Sequence, residues 1–385
     1  MFRKYLVIAG FMMAAAVHSR GADWKIEMVD QGAPGEFSSM KVDKEGNLHL
    51  AYTMVDGNRY PLRYSFWDHT VKRWFTMTVA EGAGSCTLAL DSNQHPHIAY
   101  ADWGGSSGGR LHYLSWDGTG WHSEPIQINA DIIGYYSALA LDGKDNPSIS
   151  FYEYRGPLGT DLKIRLRVVA KRQGHWEVET VDPQEGSGKF NSMASDAAGH
   201  LFLAYANVGA GTAGMRFAYW DGAKWIREIV DGPEQNRGES LGFGSYVTLD
   251  RQGNPHVTYL NESTNQVRYA VKKNGRWQIH VLDRVSAYGA LDRNAVALDE
   301  ENRAYVSYYD AGAGILKLAY QDGKKWLSEV VDSNGCGYTS SMQIDRGTIW
   351  ISYADHVNGG IKVARRELAP ALTGTAKAEP ARQSK

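Results

Sequence analysis

His112, Tyr135, Tyr136 and Arg155 fall within one 44-residue stretch and could together carry out an elimination next to a carboxylate. Such a reaction needs a base (Tyr or His), an acid for the leaving group, and a cation to neutralise the carboxylate. His112 is preceded by Asp102, which could orient its imidazole. Trp103 follows that aspartate and, with Tyr135 and Tyr154, offers flat apolar faces of the kind that stack on sugar rings. Arg63, Arg237 and Arg293 supply cations elsewhere, and Glu239 and Asp292 supply carboxylates. A hydrolysis that uses two carboxylates needs them about 5 to 10 Å apart. Asp131, Glu239 and Asp292 are available, but no spacing rule pairs them from sequence. No Gly-rich phosphate loop, zinc motif or calcium loop is found, so the reading assigns no metal and no cofactor.

These residues must be positioned by the elements around them, and those elements repeat. One phrase recurs as SMKVDKEGNLHLAYTM, TLALDSNQHPHIAYAD, ALALDGKDNPSISFYE, SMASDAAGHLFLAYAN, YVTLDRQGNPHVTYLN, AVALDEENRAYVSYYD and SMQIDRGTIWISYAD. Its anchoring acids, Asp43, Asp91, Asp142, Asp196, Asp250, Asp299 and Asp345, are 48, 51, 54, 54, 49 and 46 residues apart. A second phrase follows the first six copies: an alternating strand, a tight turn, then a strand beginning with Trp, as in MRFAYWDGAKWIREIVD. Asp117-Gly118, Asp221-Gly222, Asn274-Gly275 and Asp322-Gly323 mark two-residue hairpins, because type I′ turns need positive φ.

Each unit is therefore four short antiparallel strands, A to D, and about 50 residues per unit is the size of a propeller blade. The fold class predicted is all-β, a seven-bladed β-propeller over residues 22–368. The seventh unit lacks a Trp strand, and Trp24–Asp30 supplies one at the other end of the chain. It is expected to close the ring as the outermost strand of blade seven, hiding an open edge. Seven of the 12 Trp mark this strand: Trp24, Trp74, Trp121, Trp176, Trp225, Trp277 and Trp326. An aromatic present in every unit is scaffold. The same holds for the recurrent strand-B Tyr and for His49, His97 and His256, which lie in different blades and cannot share a metal.

The phrases resemble the tandem repeats of secreted bacterial and archaeal proteins close to the sialidase-like, BNR-type propellers. The nearest copies are Gly134-Tyr135-Tyr136-Ser137-Ala138-Leu139-Ala140-Leu141-Asp142 and Gly337-Tyr338-Thr339-Ser340-Ser341. The resemblance covers about 340 residues and implies the fold rather than an activity. Asp-boxes and the arginine motif of sialidases are not found, and Ser115-Trp116-Asp117-Gly118 is a shortened echo of the former. Some propeller lyases use a set like His112, Tyr136 and Arg155, so the resemblance permits that chemistry.

In a propeller the D-to-A and B-to-C loops share the face around one channel mouth, and function is expected where they depart from the repeat. The polar residue ending strand B is Asp102, Glu153, Asn207, Asn261, Asp310 or Asp355, and Met54 in blade one. An early strand-C position holds Arg63, His112, Arg167, Arg216, Arg268, Lys317 or Lys362. Arg63, Arg216 and Arg268 lack a carboxylate at the matching position, which makes them candidates for an anionic ligand. Phe37, Tyr135, Phe190, Phe243 and Tyr338 precede the A strands and suggest packing or a ring of stacking faces.

Three function classes remain open. The first is binding of an extracellular glycan or other polymer, the second a uronate lyase or glycosidase on the same face, the third a protein-interaction platform. A net charge of -2 gives no electrostatic reason for nucleic acid. Residues 1–21 read as a signal peptide, with basic Arg3 and Lys4, an apolar Tyr5–Val17 and cleavage before Ala22. The expected location is secreted or periplasmic, with no membrane span and a monomeric state. Residues 369–385 read as a disordered tail. Cys86 and Cys336 both fall in D-to-A loops, and a disulfide between them would have to reach across blade one.

Overall fold

The aspartate that ends each A strand builds the turn after it. Asp43 Oδ1 accepts the backbone N–H groups of Glu45 at 2.9 Å and Asn47 at 2.8 Å. Asp142, Asp196, Asp250 and Asp299 cap the equivalent turns in the same way. This is why an acid recurs there: an Asx turn needs a short side-chain acceptor two residues before the N–H it binds.

A computed structural model describes residues 23–102, 110–128, 132–133, 136–155, 163–209, 211–232, 239–287, 294–335 and 337–368, with backbone alone at 132–133, 154–155 and 163. The predicted leader and tail lie outside these residues. Among the described residues there are strands and no helix, so no helix is long and apolar enough to cross a membrane. The strands form seven antiparallel sheets. Blade one is Gly35–Val42, Leu48–Met54, Leu62–Asp68 and Arg73–Ala80, in the order A-B-C-D. Blade two is Ala83–Leu90, Pro96–Asp102, Leu111–Trp116 and Trp121–Ile126. In blade three strand A comes in two pieces, Ile132–Ile133 and Ala138–Leu141, both paired with Pro147–Arg155. In blade seven the strand Lys25–Asp30 pairs antiparallel with Ile361–Glu367, so the chain's first strand completes its last sheet.

The Trp of strand D packs on the strand-C aromatic of the preceding blade. Trp121 meets Tyr64 at 5.2 Å, Trp176 meets Tyr113 at 5.5 Å, Trp277 meets Phe217 at 5.1 Å and Trp326 meets Tyr269 at 5.1 Å. Three Trp outside the repeat position are cross-strand partners of repeat Trp: Trp67 of Trp74, Trp116 of Trp121, and Trp220 of Trp225. Trp350 lies under the Arg365 guanidinium, 5.3 Å from its ring centre.

His49, His97 and His256 are buried scaffold. Nδ1 of His49 is 2.6 Å from the Tyr64 hydroxyl, and Nδ1 of His256 is 2.5 Å from that of Tyr269. His97 meets Tyr113 in the same way. Their Nε2 atoms face Asp43, Asp91 and Asp250 at 3.3, 3.5 and 3.5 Å. Burial pulls all three imidazoles below their ordinary range, against the pull of these carboxylates. In the unfolded chain each would take up a proton at about pH 6.5. Below that pH the unfolded state binds protons that the folded state refuses, so stability falls as pH falls. Burial pushes the Asp43, Asp142 and Asp250 carboxyls up, but bonds from their turns outweigh it and hold them low. Their contribution is present above about pH 4 and is lost as pH falls further. The denaturation midpoint is therefore expected to be level near pH 8, to decline from about pH 6.5, and to drop again below about pH 4. A midpoint unchanged between about pH 7 and 5 would contradict the histidine assignment.

Candidate functional site

Five blade seams are held by one device. The strand-B Tyr donates its hydroxyl to the aspartate that ends strand D of the preceding blade: Tyr52 to Asp30, Tyr205 to Asp182, Tyr259 to Asp231, Tyr308 to Asp283 and Tyr353 to Asp332, at 2.6 to 2.9 Å. A strand-C cation joins the aspartate in four of them: Arg63, Arg268, Lys317 and Lys362. In the fifth, Arg216 of strand C acts electrostatically on Tyr205. Burial first, then the adjacent carboxylate, pushes these Tyr hydroxyls well above their ordinary range. They are held as neutral donors.

The device is missing at the two seams on either side of blade two. In the C–D register Asp182, Asp231 and Asp332 lie opposite Leu166, Met215 and Leu316. The same register positions hold Ala80, opposite Leu62, and Ile126, opposite Leu111. Tyr100 of blade two therefore has no strand-D aspartate to meet, and blade three carries Phe151 in place of Tyr. The cation position changes too. His112 stacks on Tyr100, with ring centres 4.7 Å apart and planes 9° apart, and its Nε2 lies 3.1 Å from Asp102 Oδ2. In a neutral imidazole that bond keeps the proton on Nε2, which donates it to Asp102 Oδ2, and leaves the lone pair on Nδ1. Asp102 Oδ1 also accepts the Arg110 N–H at 2.7 Å. In blade three Arg167 turns to buried Glu153, at 2.8 Å. Arg165, opposite Glu153 on strand C, has a buried Nε with no described partner.

The remaining predicted residues are placed as follows. Arg63 does not lack a carboxylate: Asp30 of blade seven reaches its Nε at 3.1 Å, and Thr78 Oγ1 accepts from Nη1 at 2.8 Å. Arg268 is likewise paired, to Asp231 at 2.7 Å. The partner comes from the neighbouring blade, which a comparison of strands B and C within one blade cannot see. The readable trace was the terminal Asp of WEVETVD and WIREIVD, absent from WFTMTVA and WHSEPIQI. Glu239 is half-buried, accepts from Asn261 Nδ2 at 2.5 Å and lies 3.6 Å from the Arg268 guanidinium. Tyr154 and Arg155 end strand B of blade three, opposite Ile164 and Lys163, and their side chains lie outside the described residues. Trp103, Tyr135, Arg237, Asp292 and Arg293 lie outside them entirely, as do Asp131 and Cys336.

Tyr136 is buried, at 5% exposure. It adopts a left-handed φ of 71°, as Phe37 and Phe190 do at 51° and 52°. These bulge positions turn their rings inward. Tyr136 meets Phe37 at 6.4 Å and Phe190 at 4.6 Å, and Phe190 meets Phe243 at 4.6 Å. The aromatics before the A strands thus form a packed belt, and Phe37 is 1% exposed. Among the described residues no cluster of three or more His, Cys, Asp or Glu could hold a metal.

The fold and the broken seams define a seven-bladed β-propeller with its irregular blades adjacent, two and three. No family model matches the chain, and no curated protein sequence is similar to it. Similar solved structures exist at the level of fold. A protein of unknown function from Dyadobacter fermentans is 12% identical with a TM-score of 0.54, over 91% of this chain and 99% of that one. The polysaccharide lyase Uly1 is 11% identical with a TM-score of 0.56, over 87% and 90%. AofleA from Arthrobotrys oligospora is 15% identical with a TM-score of 0.53, over 81% and 90%. At these identities the likeness to known propellers is one of fold.

Proposed function

We propose that this propeller is exported and binds an extracellular glycan on the face of its D-to-A and B-to-C loops, over blades two and three. The observation that carries the reading is the loss of the Tyr–Asp–cation device at the two seams flanking blade two. A scaffold repeated at five seams and dropped at two adjacent ones releases polar groups there for another use. His112 with Asp102, and Arg165 and Arg167 with Glu153, present a base and cations at the ends of strands B and C. Trp103, Tyr135, Tyr154 and Arg155 belong to the same two blades and would add stacking faces and charge. The cations suit a carboxylated sugar. Arg237, Glu239, Asp292 and Arg293 would extend the surface across blades five and six. Uly1, a polysaccharide lyase on the same fold, supports the reading as precedent for a polymer on such a scaffold.

Elimination is the second reading, and the His112–Asp102 pair favours it. Burial of Tyr136 in the aromatic belt speaks against the set His112, Tyr136 and Arg155 working together. A glycan array on the purified chain, followed by ultraviolet assays for unsaturated uronate, tests both readings. Binding to acidic polysaccharides without product is expected. Failure to retain any polysaccharide would overturn the proposal, and product formation would replace binding with elimination.

A further inference from the structure

A second irregularity sits at the other face, where the A-to-B turns and C-to-D hairpins lie. At three seams a strand-D Glu binds the Trp Nε1 of the next blade. Glu124 accepts from Trp176 at 2.7 Å, Glu179 from Trp225 at 3.2 Å and Glu228 from Trp277 at 2.9 Å. A lysine opposite the Trp completes two of these: Lys171 on Glu124 and Lys272 on Glu228. Both members differ between blades five and six, where His280 and Gln321 stand, and again between blades one and two. Met77 holds the Glu position, opposite Tyr64, and Trp116 holds the Lys position, opposite Trp121. What remains is a cavity of 430 Å³ walled by Tyr64, Phe66, Phe75, Met77, Trp116 and Trp121. Phe75 and Met77 are each 45% exposed there.

The polar groups of this cavity are largely spent. Asn47 Nδ2 donates to Asp43 at 2.8 Å, and its Oδ1 accepts from the His69 backbone N–H at 3.0 Å. Gln94 accepts from the Lys44 N–H at 3.0 Å and donates to the Asp91 carbonyl at 3.2 Å. A polyol would find few unused donors and acceptors. The charge is one-sided: Asp43 and Glu45 line the cavity, and no Lys or Arg does among the described lining residues. The rings meet edge to face, Tyr64 to Trp121 at 71° and Trp116 to Trp121 at 63°, so they form adjoining walls rather than a stack. Adjoining aromatic walls beside carboxylates are the recognition chemistry of alkylated ammonium groups.

The geometry points to a binding site between blades one and two for an organic cation, a quaternary or methylated ammonium. It is independent of the glycan reading, since it lies on the opposite face. The test is titration of the full chain with choline and, separately, with its neutral tert-butyl analogue, followed by Trp fluorescence and calorimetry. Choline is expected to bind and the neutral analogue to bind about tenfold more weakly or worse. The double variant Met77→Glu with Trp116→Lys installs the closure found at the next seam and is expected to abolish choline binding. Should that variant fold poorly, Glu45→Gln, a surface change, is expected to weaken choline several-fold with an unaltered denaturation midpoint. No response to choline, equal affinity for the neutral analogue, a preference for monosaccharides, or full binding by both variants would each overturn the assignment.

Discussion

Asp231→Ala is expected to cost about 3 to 5 kcal/mol of folding stability, the range for removing one partner of a buried ion pair. Asp231 is 1% exposed and takes two strong hydrogen bonds at 2.7 Å, from the Tyr259 hydroxyl and from Arg268 Nη1. Arg268 is itself only 8% exposed. Without the aspartate its guanidinium keeps Gln266 at 2.7 Å and Glu239 at 3.6 Å, but loses the one carboxylate that meets it at hydrogen-bond distance. Tyr259→Phe should cost only about 1 kcal/mol, because it removes one hydrogen bond and strands no charge. Blade three already lives with Phe151 at this position. A double variant, Asp231→Ile with Arg268→Met, should recover most of the loss, since a packed apolar seam avoids desolvating two charges. Chemical denaturation of the four proteins decides the matter. A loss below about 1 kcal/mol for Asp231→Ala would remove the device from the list of what holds the ring together.

His112→Ala should behave in the opposite way. Its side chain and that of Asp102 are more open than Asp231 and Arg268, at 18% and 26% exposure, so the cost to folding should be smaller, about 1 to 2 kcal/mol, chiefly the lost stack on Tyr100. Acidic-glycan affinity is nevertheless expected to fall by about tenfold, the scale of one hydrogen bond that Nδ1 accepts from a sugar hydroxyl. Asp102→Asn should weaken binding less, because the amide can still hold the imidazole in place. Equal glycan affinity in wild type and His112→Ala would move the site elsewhere on the loop face. Appearance of unsaturated uronate in wild type, lost in His112→Ala, would make the histidine a catalytic base.

The two variants separate two uses of one strand-C position, the first by removing the partner of Arg268 and the second by removing His112 itself. Arg63, Arg268, Lys317 and Lys362 occupy the strand-C position taken by His112 in blade two. In those four blades the cation meets a neighbouring blade's aspartate, and Lys362 also meets Asp355 of its own blade at 2.7 Å. In blade two no such aspartate exists, and the residue turns to its own blade.

The sequence by itself determined the blade number, the four-stranded unit, the turn aspartates and the closing strand. These are local or periodic: a two-residue hairpin, an Asx turn and an alternating strand depend on residues a few positions apart, and repetition multiplies a weak pattern seven times. It also marked the repeat Trp and the three histidines as scaffold. It could not say which carboxylate meets which cation, because the partners Asp30 and Arg63, or Asp231 and Arg268, lie in different blades and about 35 residues apart. For the aromatics before the A strands it left packing and a ring of stacking faces both open. The bulges at Phe37, Tyr136 and Phe190 decide for packing and turn these rings into a buried belt, a matter of backbone φ that residue type does not announce. The apolar cavity between blades one and two was equally hidden. Met77 and Trp116 are ordinary strand residues until the seam brings them together, and only packing shows that the Glu and Lys found in other seams are missing.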